Sequence, residues 1–191
     1  MILSSAQRSG DARERLLARL LAAFEDGLPS PEMSLREVAA RAETSHALLR
    51  YHFGSLSGVL AAMLTVQRSR DNEALFETAQ QGTFEELVVA IWRAYTHPEQ
   101  LSRARGFFHV AGLAAYSPGD FGEFIGSLDD LTAMLAALAE REGYDSEEAV
   151  SMATVAIAAI RGLLLQEVLA PAAHAPDAVA LILRMTKGGR A

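Results

Sequence analysis

The chain has 191 residues, half of them hydrophobic, with 17 Lys and Arg against 24 Asp and Glu, a net charge of −7 and no cysteine. That length holds one medium domain or a small one joined to a larger one, and the apolar content can fill a sizeable core. Without cysteine, disulfides and thiolate metal sites are excluded, and the N-terminal MILSSAQRSGDARER lacks the apolar stretch of a signal peptide, so a cytoplasmic protein is expected.

The negative total argues against nucleic acid as a partner, but the charge is unevenly spread. Residues 1–70 carry nine Arg against seven Asp and Glu, a balance of +2, whereas residues 71–191 carry −9. Only the N-terminal third would tolerate phosphate.

In chain order, Leu16, Leu17, Leu20, Leu21 and Phe24 share one helical face over 11–26. Gly27 and Pro29-Ser30-Pro31 stop that helix. Ser34 with Glu37 is a capping box that opens a short helix, with Leu35, Val38, Ala39 and Ala42 inward. After a break at Glu43-Thr44, Ser45 can cap a second short helix ending near His52-Phe53. Gly54-Ser55 then leads into a long one, with Leu56, Val59, Leu60, Met63, Leu75, Phe76 and Ala79 on its inner side and Gly82 at its end.

Thr83 with Glu86 makes another capping box, and Phe84, Leu87, Val88, Ile91, Trp92 and Tyr95 follow at helical spacing. His97-Pro98 breaks the chain before a helix over 101–115, and Ser117-Pro118-Gly119 reads as a loop. One helix is expected over 120–142, stopped by Gly143. A very apolar one follows over 145–170, ended by Pro171, and a last one opens at Pro176 and runs to about Thr186. Arg161, Gln166 and Glu167 interrupt the apolar stretch 149–170, which makes it a poor membrane span and a good buried helix. About nine helices are expected, with no strand and no internal repeat.

The pair of short helices over 34–42 and 45–53 carries the functional signal. Two short amphipathic helices joined by a turn of about three residues and braced by a longer preceding helix form the helix-turn-helix layout. In that layout the second helix enters the major groove, so one face must be apolar and the other must offer small or polar side chains. Leu49 and Phe53 stand at i, i+4 and can face a core, whereas His46, Ala47 and Arg50 fall on the other side. Arg50, Tyr51 and His52 supply donors for phosphates or base edges. Taken singly, His52 would pack or cap a helix, and Arg36 and Arg41 would lie on a solvated face.

The stretch LREVAARAETSHALLRYHFGSLSGVL resembles the DNA-binding signature of the TetR/AcrR family of regulators. The family's aromatic-His-Phe run followed by a small or polar pair stands here as Tyr51-His52-Phe53-Gly54-Ser55. The likeness covers residues 11–64. Beyond them the chain resembles the family only in length, helicity and a Gly-bearing penultimate helix. The resemblance implies an all-α protein with a three-helix DNA-binding domain over 1–55 and a helical ligand-binding and dimerisation domain over 56–191. It implies that Arg36, Ser45, His46, Ala47, Leu48, Arg50, Tyr51 and His52 face DNA, with Tyr51 and His52 on phosphates, while Val38, Thr44, Leu49 and Phe53 pack the small core. Two positions depart from the family. Glu43 stands where a turn Gly supplies positive φ, at a cost on the order of 1 kcal/mol. Leu56 stands where a Lys meets phosphate, so Leu56→Lys is expected to tighten operator binding.

In the remainder, Trp92, Tyr95, Phe107, Phe108, His109, Tyr116, Phe121 and Phe124 form an aromatic-rich middle that reads as core or as the wall of a ligand cavity. Trp92, Tyr95, Arg103, Phe107, Phe108, His109 and Phe124 are the candidate ligand contacts; Arg105 is a further candidate anchor, and Arg103 and Arg105 can equally lie on the surface. Ala153, Ala156, Ala158, Ala159 and Gly162 allow close helix approach, so the helix over 145–170 and the last helix are expected to pair with the same two from a second subunit. Arg161 in that apolar stretch is expected to find an acid on a neighbouring helix.

There is no G-x-S-x-G elbow, P-loop, dinucleotide fingerprint or H-E-x-x-H, and His46, His52, His97, His109 and His174 include no i, i+4 pair for a metal. An enzyme, a cofactor and a metal are therefore not expected. The expected partners are a double-stranded operator, a small-molecule effector and a second copy of the chain, with no membrane. The alternatives are a helical dimer that has lost specific DNA binding and acts through protein contacts, or an all-α enzyme with a site assembled from distant residues.

Overall fold

The computed structural model describes residues 5–25, 27–170 and 178–187. Among these residues there is no strand. The α-helices are α1 Ser5–Ala23, α2 Leu35–Arg41, α3 His46–Phe53, α4 Leu56–Gln81, α5 Phe84–Thr96, α6 Leu101–Tyr116, α7 Gly122–Gly126, α8 Asp130–Arg141, α9 Ser146–Leu169 and α10 Ala178–Lys187. Two 3-10 turns, Pro98–Gln100 and Pro118–Phe121, precede α6 and α7. The expected stops at Pro171 and Pro176, together with Asp26 and His174, lie outside the described residues.

The chain forms two compact units, one of residues 1–67 and 106–124, the other of 68–105 and 125–191. In the first unit the apolar stripe of α1 (Leu16, Leu17, Leu20, Phe24) packs with Val38, Ala39 and Ala42 of α2, Leu49 of α3 and Val59, Ala62 and Met63 of α4. Arg41 is exposed, as expected, and from the surface its Nε donates to the Ala23 carbonyl at 2.9 Å while its guanidinium lies 4.3 Å from the Phe24 ring centroid. It thereby closes the C-terminus of α1, where carbonyls lack intrahelical donors. α1 also starts earlier than residue 11, because nothing in Ala6-Gln7-Arg8 opposes a helix.

In the second unit, Phe84, Leu87, Val88 and Ile91 of α5 pack with Leu131, Leu135 and Leu138 of α8, Met152, Ala156 and Ile160 of α9 and Ile182 and Leu183 of α10. Arg141 at the end of α8 donates to the carbonyls of Ala79, Gln80 and Gly82, capping the C-terminus of α4. α9 has the length and apolar composition of a membrane span; in this fold, Ala149, Met152, Ala153, Ala156, Ile157, Ile160 and Leu164 are buried in protein.

Three sequence expectations are corrected. The helix over 120–142 is broken into a 3-10 turn, α7 and α8, since Gly119, Gly122, Gly126 and Ser127 are poor helix formers spaced through its first turns. Phe76 is 52% exposed and not inward. The buried stripe of α4 there runs Arg68, Asn72, Leu75, so a helix of 3.6 residues per turn rotates Phe76 outward. Arg161 finds a backbone carbonyl, that of Leu128 at 2.8 Å, where an acid was expected.

At the corner of α3 and α4 the chain turns by 69°, and the two helix ends approach so closely that a Cβ on Gly58 would stand 2.0 Å from the Phe53 carbonyl oxygen. In a free helix Gly58→Ala would stabilise by about 1 kcal/mol. Here overpacking against backbone reverses the sign, and a loss of about 1–3 kcal/mol is expected in urea denaturation.

Candidate nucleic-acid interface

The local chemistry of 34–55 follows from its caps. Ser34 accepts from the Glu37 amide at 3.2 Å while the Glu37 carboxylate accepts from the Ser34 amide at 2.7 Å. These bonds to the ionised form hold the Glu37 carboxyl below its ordinary range. Ser45 in turn accepts from the Leu48 amide at 3.1 Å and opens α3. Between the helices, Glu43 has φ 48, the one non-glycine positive φ among the described residues. Its amide donates to the Ala40 carbonyl and the next amide, of Thr44, to that of Ala39, which terminates α2.

This wiring turns α3 so that Leu49 is fully buried and Phe53 partly buried on one side. On the other side Ala47 and Arg50 are exposed, as are Leu48 at 48% and Tyr51 at 77%. Arg36 and Ser45 are exposed too, whereas His46 and Thr44 are half-buried. His52 is also half-buried, its ring edge-on to Tyr51 at 4.9 Å between centroids. Leu56 packs partly buried against the core of this unit, so Leu56→Lys would exchange apolar contact for charge.

Two clefts border α3. A groove of about 220 Å³ is lined by Arg15 and Arg19 of α1 with Thr44, Leu48 and His52. Arg15 and Arg19 are exposed, and neither was singled out in the sequence, although they stand at i, i+4 on the face opposite the apolar stripe of α1. A second cleft, about 440 Å³, lies between the end of α3 (His52, Phe53) and residues 119–124. Arg13 spans it, paired with Glu123 at 2.7 Å and 5.4 Å from the Phe53 ring centroid.

The candidate ligand contacts divide between the two units. In the first, Phe107 stacks obliquely on Phe124 at 5.7 Å and edge-on to Phe108 at 5.2 Å. Phe124 and Phe121 are buried, while His109 is exposed and Tyr116 is 92% exposed. In the second, Trp92 and Tyr95 pack partly buried against the core, and Arg103 lies 3.6 Å from Asp71. Arg105 is exposed. Among the described residues no group of three or more His, Asp or Glu could hold a metal ion.

One surface of α9 stands out by its spacing. Ser151, Val155, Ala158, Gly162, Leu165 and Leu169 alternate four and three residues apart, and all are exposed. Beside them on α10, Leu181 and Met185 are exposed as well. A Cβ on Gly162 would meet no atom within 4 Å.

No family model matches the chain, and no curated protein matches it. Solved structures do. The chain is similar to a transcriptional regulator from Rhodococcus sp. Rha1, 24% identical over 92% of this chain and 94% of that one, with a TM-score of 0.66. It is also similar to a TetR transcriptional regulator from Legionella pneumophila, 17% identical over 98% of each chain, with a TM-score of 0.62. The fold is that of TetR-type regulators, all-α throughout the described residues.

If Glu43 is held in a left-handed conformation by its neighbours, Glu43→Gly relieves that strain. A gain of up to about 1 kcal/mol in thermal or urea unfolding is expected; a loss of stability would mean that the left-handed backbone at Glu43 carries no strain large enough to outweigh the added freedom of the unfolded chain.

Proposed function

We propose that the protein is a dimeric transcriptional regulator that binds a palindromic operator through α3 and is released from it by a small molecule. The observation that carries the reading is the division of α3 into one buried residue, Leu49, and an outward side of Ala47, Leu48, Arg50 and Tyr51. A helix inserted into the major groove needs that division. Arg36, Ser45, His46 and His52 complete the proposed contact surface, and Arg15 and Arg19 join it as phosphate contacts beside the same helix. The fold shared with solved regulators supports the reading, and a cytoplasmic location belongs to it.

The second copy would dock on the exposed stripe of α9 with Leu181 and Met185 of α10. Alternating four- and three-residue spacing is the repeat of packed helix seams, and Gly162 leaves room for close approach. Two-fold symmetry would then set two α3 helices about 34–36 Å apart, or a multiple of it. Helix α4 contributes to both compact units, which suits a lever that alters reader spacing when an effector prefers one conformer.

Selection of bound sequences from random DNA should return a palindrome. On that duplex, Arg50→Ala should weaken binding by about tenfold or more. Arg15→Ala should lower the slope of log affinity against log salt by about 0.9. Recovery of no sequence, with no salt-dependent binding, would favour a helical dimer acting through protein contacts. Separately, Leu165→Glu with Leu169→Glu should give a monomer in sedimentation and lose operator binding; a dimer that persists would contradict the docking surface.

A further inference from the structure

The break between α7 and α8 gathers positive charge, buried at Arg68 and half-buried at Arg161 and Arg103. It exposes the carbonyls of Ser127 and Leu128, and two guanidinium groups come to these adjacent residues. Arg68 of α4, 6% exposed, donates to Ser127 at 3.0 Å, and Arg161 of α9 donates to Leu128 at 2.8 Å. Arg161 has no carboxylate within 4 Å among the described residues. Next to them Arg103 of α6 faces Asp71 of α4 at 3.6 Å.

The hydroxyl of Tyr95 on α5 sits in this group, shielded from solvent and with no hydrogen-bond partner. The charges of Arg68, Arg161 and Arg103 and of one acid, Asp71, bear on it. Asn72, one turn from Arg68, likewise has a buried Oδ1 without a partner, although its Nδ2 donates to Asp130 at 3.2 Å. Burial and the neighbouring Arg68 push the Arg161 pKa down, and Tyr95 and the more distant Asp129 offset this only in part, so its charge is held at a cost. Buried polar groups in native proteins are nearly always paired, so the Tyr95 hydroxyl and a guanidinium with no carboxylate in contact are costly to keep without a ligand.

We infer that this cluster is the effector's anchor and that the effector is a small organic carboxylate, received by the Arg161 guanidinium with a hydrogen bond from the Tyr95 hydroxyl. A carboxylate fits because it accepts two parallel bonds from a guanidinium fork and a further one from a phenol. A dianion would cost more to desolvate than a single carboxylate. The inference rests on the proposal that the protein binds an effector. It adds Arg161 and Arg68 to the expected contacts Tyr95 and Arg103.

The test uses the full chain without DNA, so that the regulator reading is not at stake in its first arm. Octanoate and benzoate are titrated by calorimetry and thermal shift against octanamide and benzamide, with acetate and inorganic phosphate as minimal anions at constant ionic strength. The acids should bind and raise the melting temperature, and their amides should do so at least about tenfold more weakly. Arg161→Gln should abolish the preference for acid over amide while leaving the unliganded protein as stable or more so. Tyr95→Phe, which removes only the hydroxyl, should weaken acid binding while leaving amide binding unchanged, and Arg161→Lys should restore part of the preference.

Equal effects of acids and amides, no acid-dependent shift at all, or an acid preference that survives Arg161→Gln would each overturn the inference. A response confined to inorganic phosphate would overturn the choice of carboxylate. In a second arm, an operator complex that ignores acids which bind the free protein would sink the effector role and leave the binding site standing. Acid binding by a protein that takes no operator would sink the regulator reading instead.

Discussion

Helix α3 has eight residues, too few to persist alone in water, where nucleation makes isolated helices shorter than about 12–15 residues marginal. It exists because Leu49 is fully buried among α1, α2 and α4, because Ser45 satisfies the Leu48 amide, and because Glu43 accepts a left-handed backbone that ends α2 at the right place. Anchorage through so little of its surface leaves the opposite side unencumbered. The candidate interface is thus a by-product of how α3 is held: a second buried residue on that side would improve packing and remove the outward side.

The features legible in the sequence were those written in local chemistry. Both capping boxes are formed as their Ser-x-x-Glu and Thr-x-x-Glu spacing implies, and Gly143 takes the positive φ, 93°, that ends α8. The break at Glu43-Thr44 was legible in the residues, and the left-handed backbone at Glu43 was implied by the family resemblance, which places a turn glycine there. The face of α3 could be read from the i, i+4 pair Leu49 and Phe53.

What escaped depends on contacts distant in sequence. Arg41 is exposed as a solvated helix face would be, but its bond to the Ala23 carbonyl and its place over the Phe24 ring come from α1 and could not be read locally. Phe76 looked inward because the inner stripe of α4 was assumed to stay apolar, whereas it carries Arg68 and Asn72. The partner of Arg161 could not be read because it is a carbonyl released by the break at 126–129, and that break was itself missed. The errors at Phe76 and Arg161 have one origin: hydrophobic periodicity cannot register a polar cluster, and in the second unit such a cluster occupies positions where aliphatic side chains would pack. Its retention costs stability, which is the usual trade where a protein must bind a polar group.

The account stands or falls on the orientation of α3 towards DNA. Because the chain has no cysteine, single ones can be placed by Tyr51→Cys and, on the α9 stripe, by Leu169→Cys, then offered to a selected operator duplex bearing a tethered thiol on a base edge in the major groove. The account predicts disulfide trapping with Tyr51→Cys at one groove position per half-site and none with Leu169→Cys. Trapping at the α9 position, or no trapping from α3 at any groove position of a duplex that the protein binds, would contradict it.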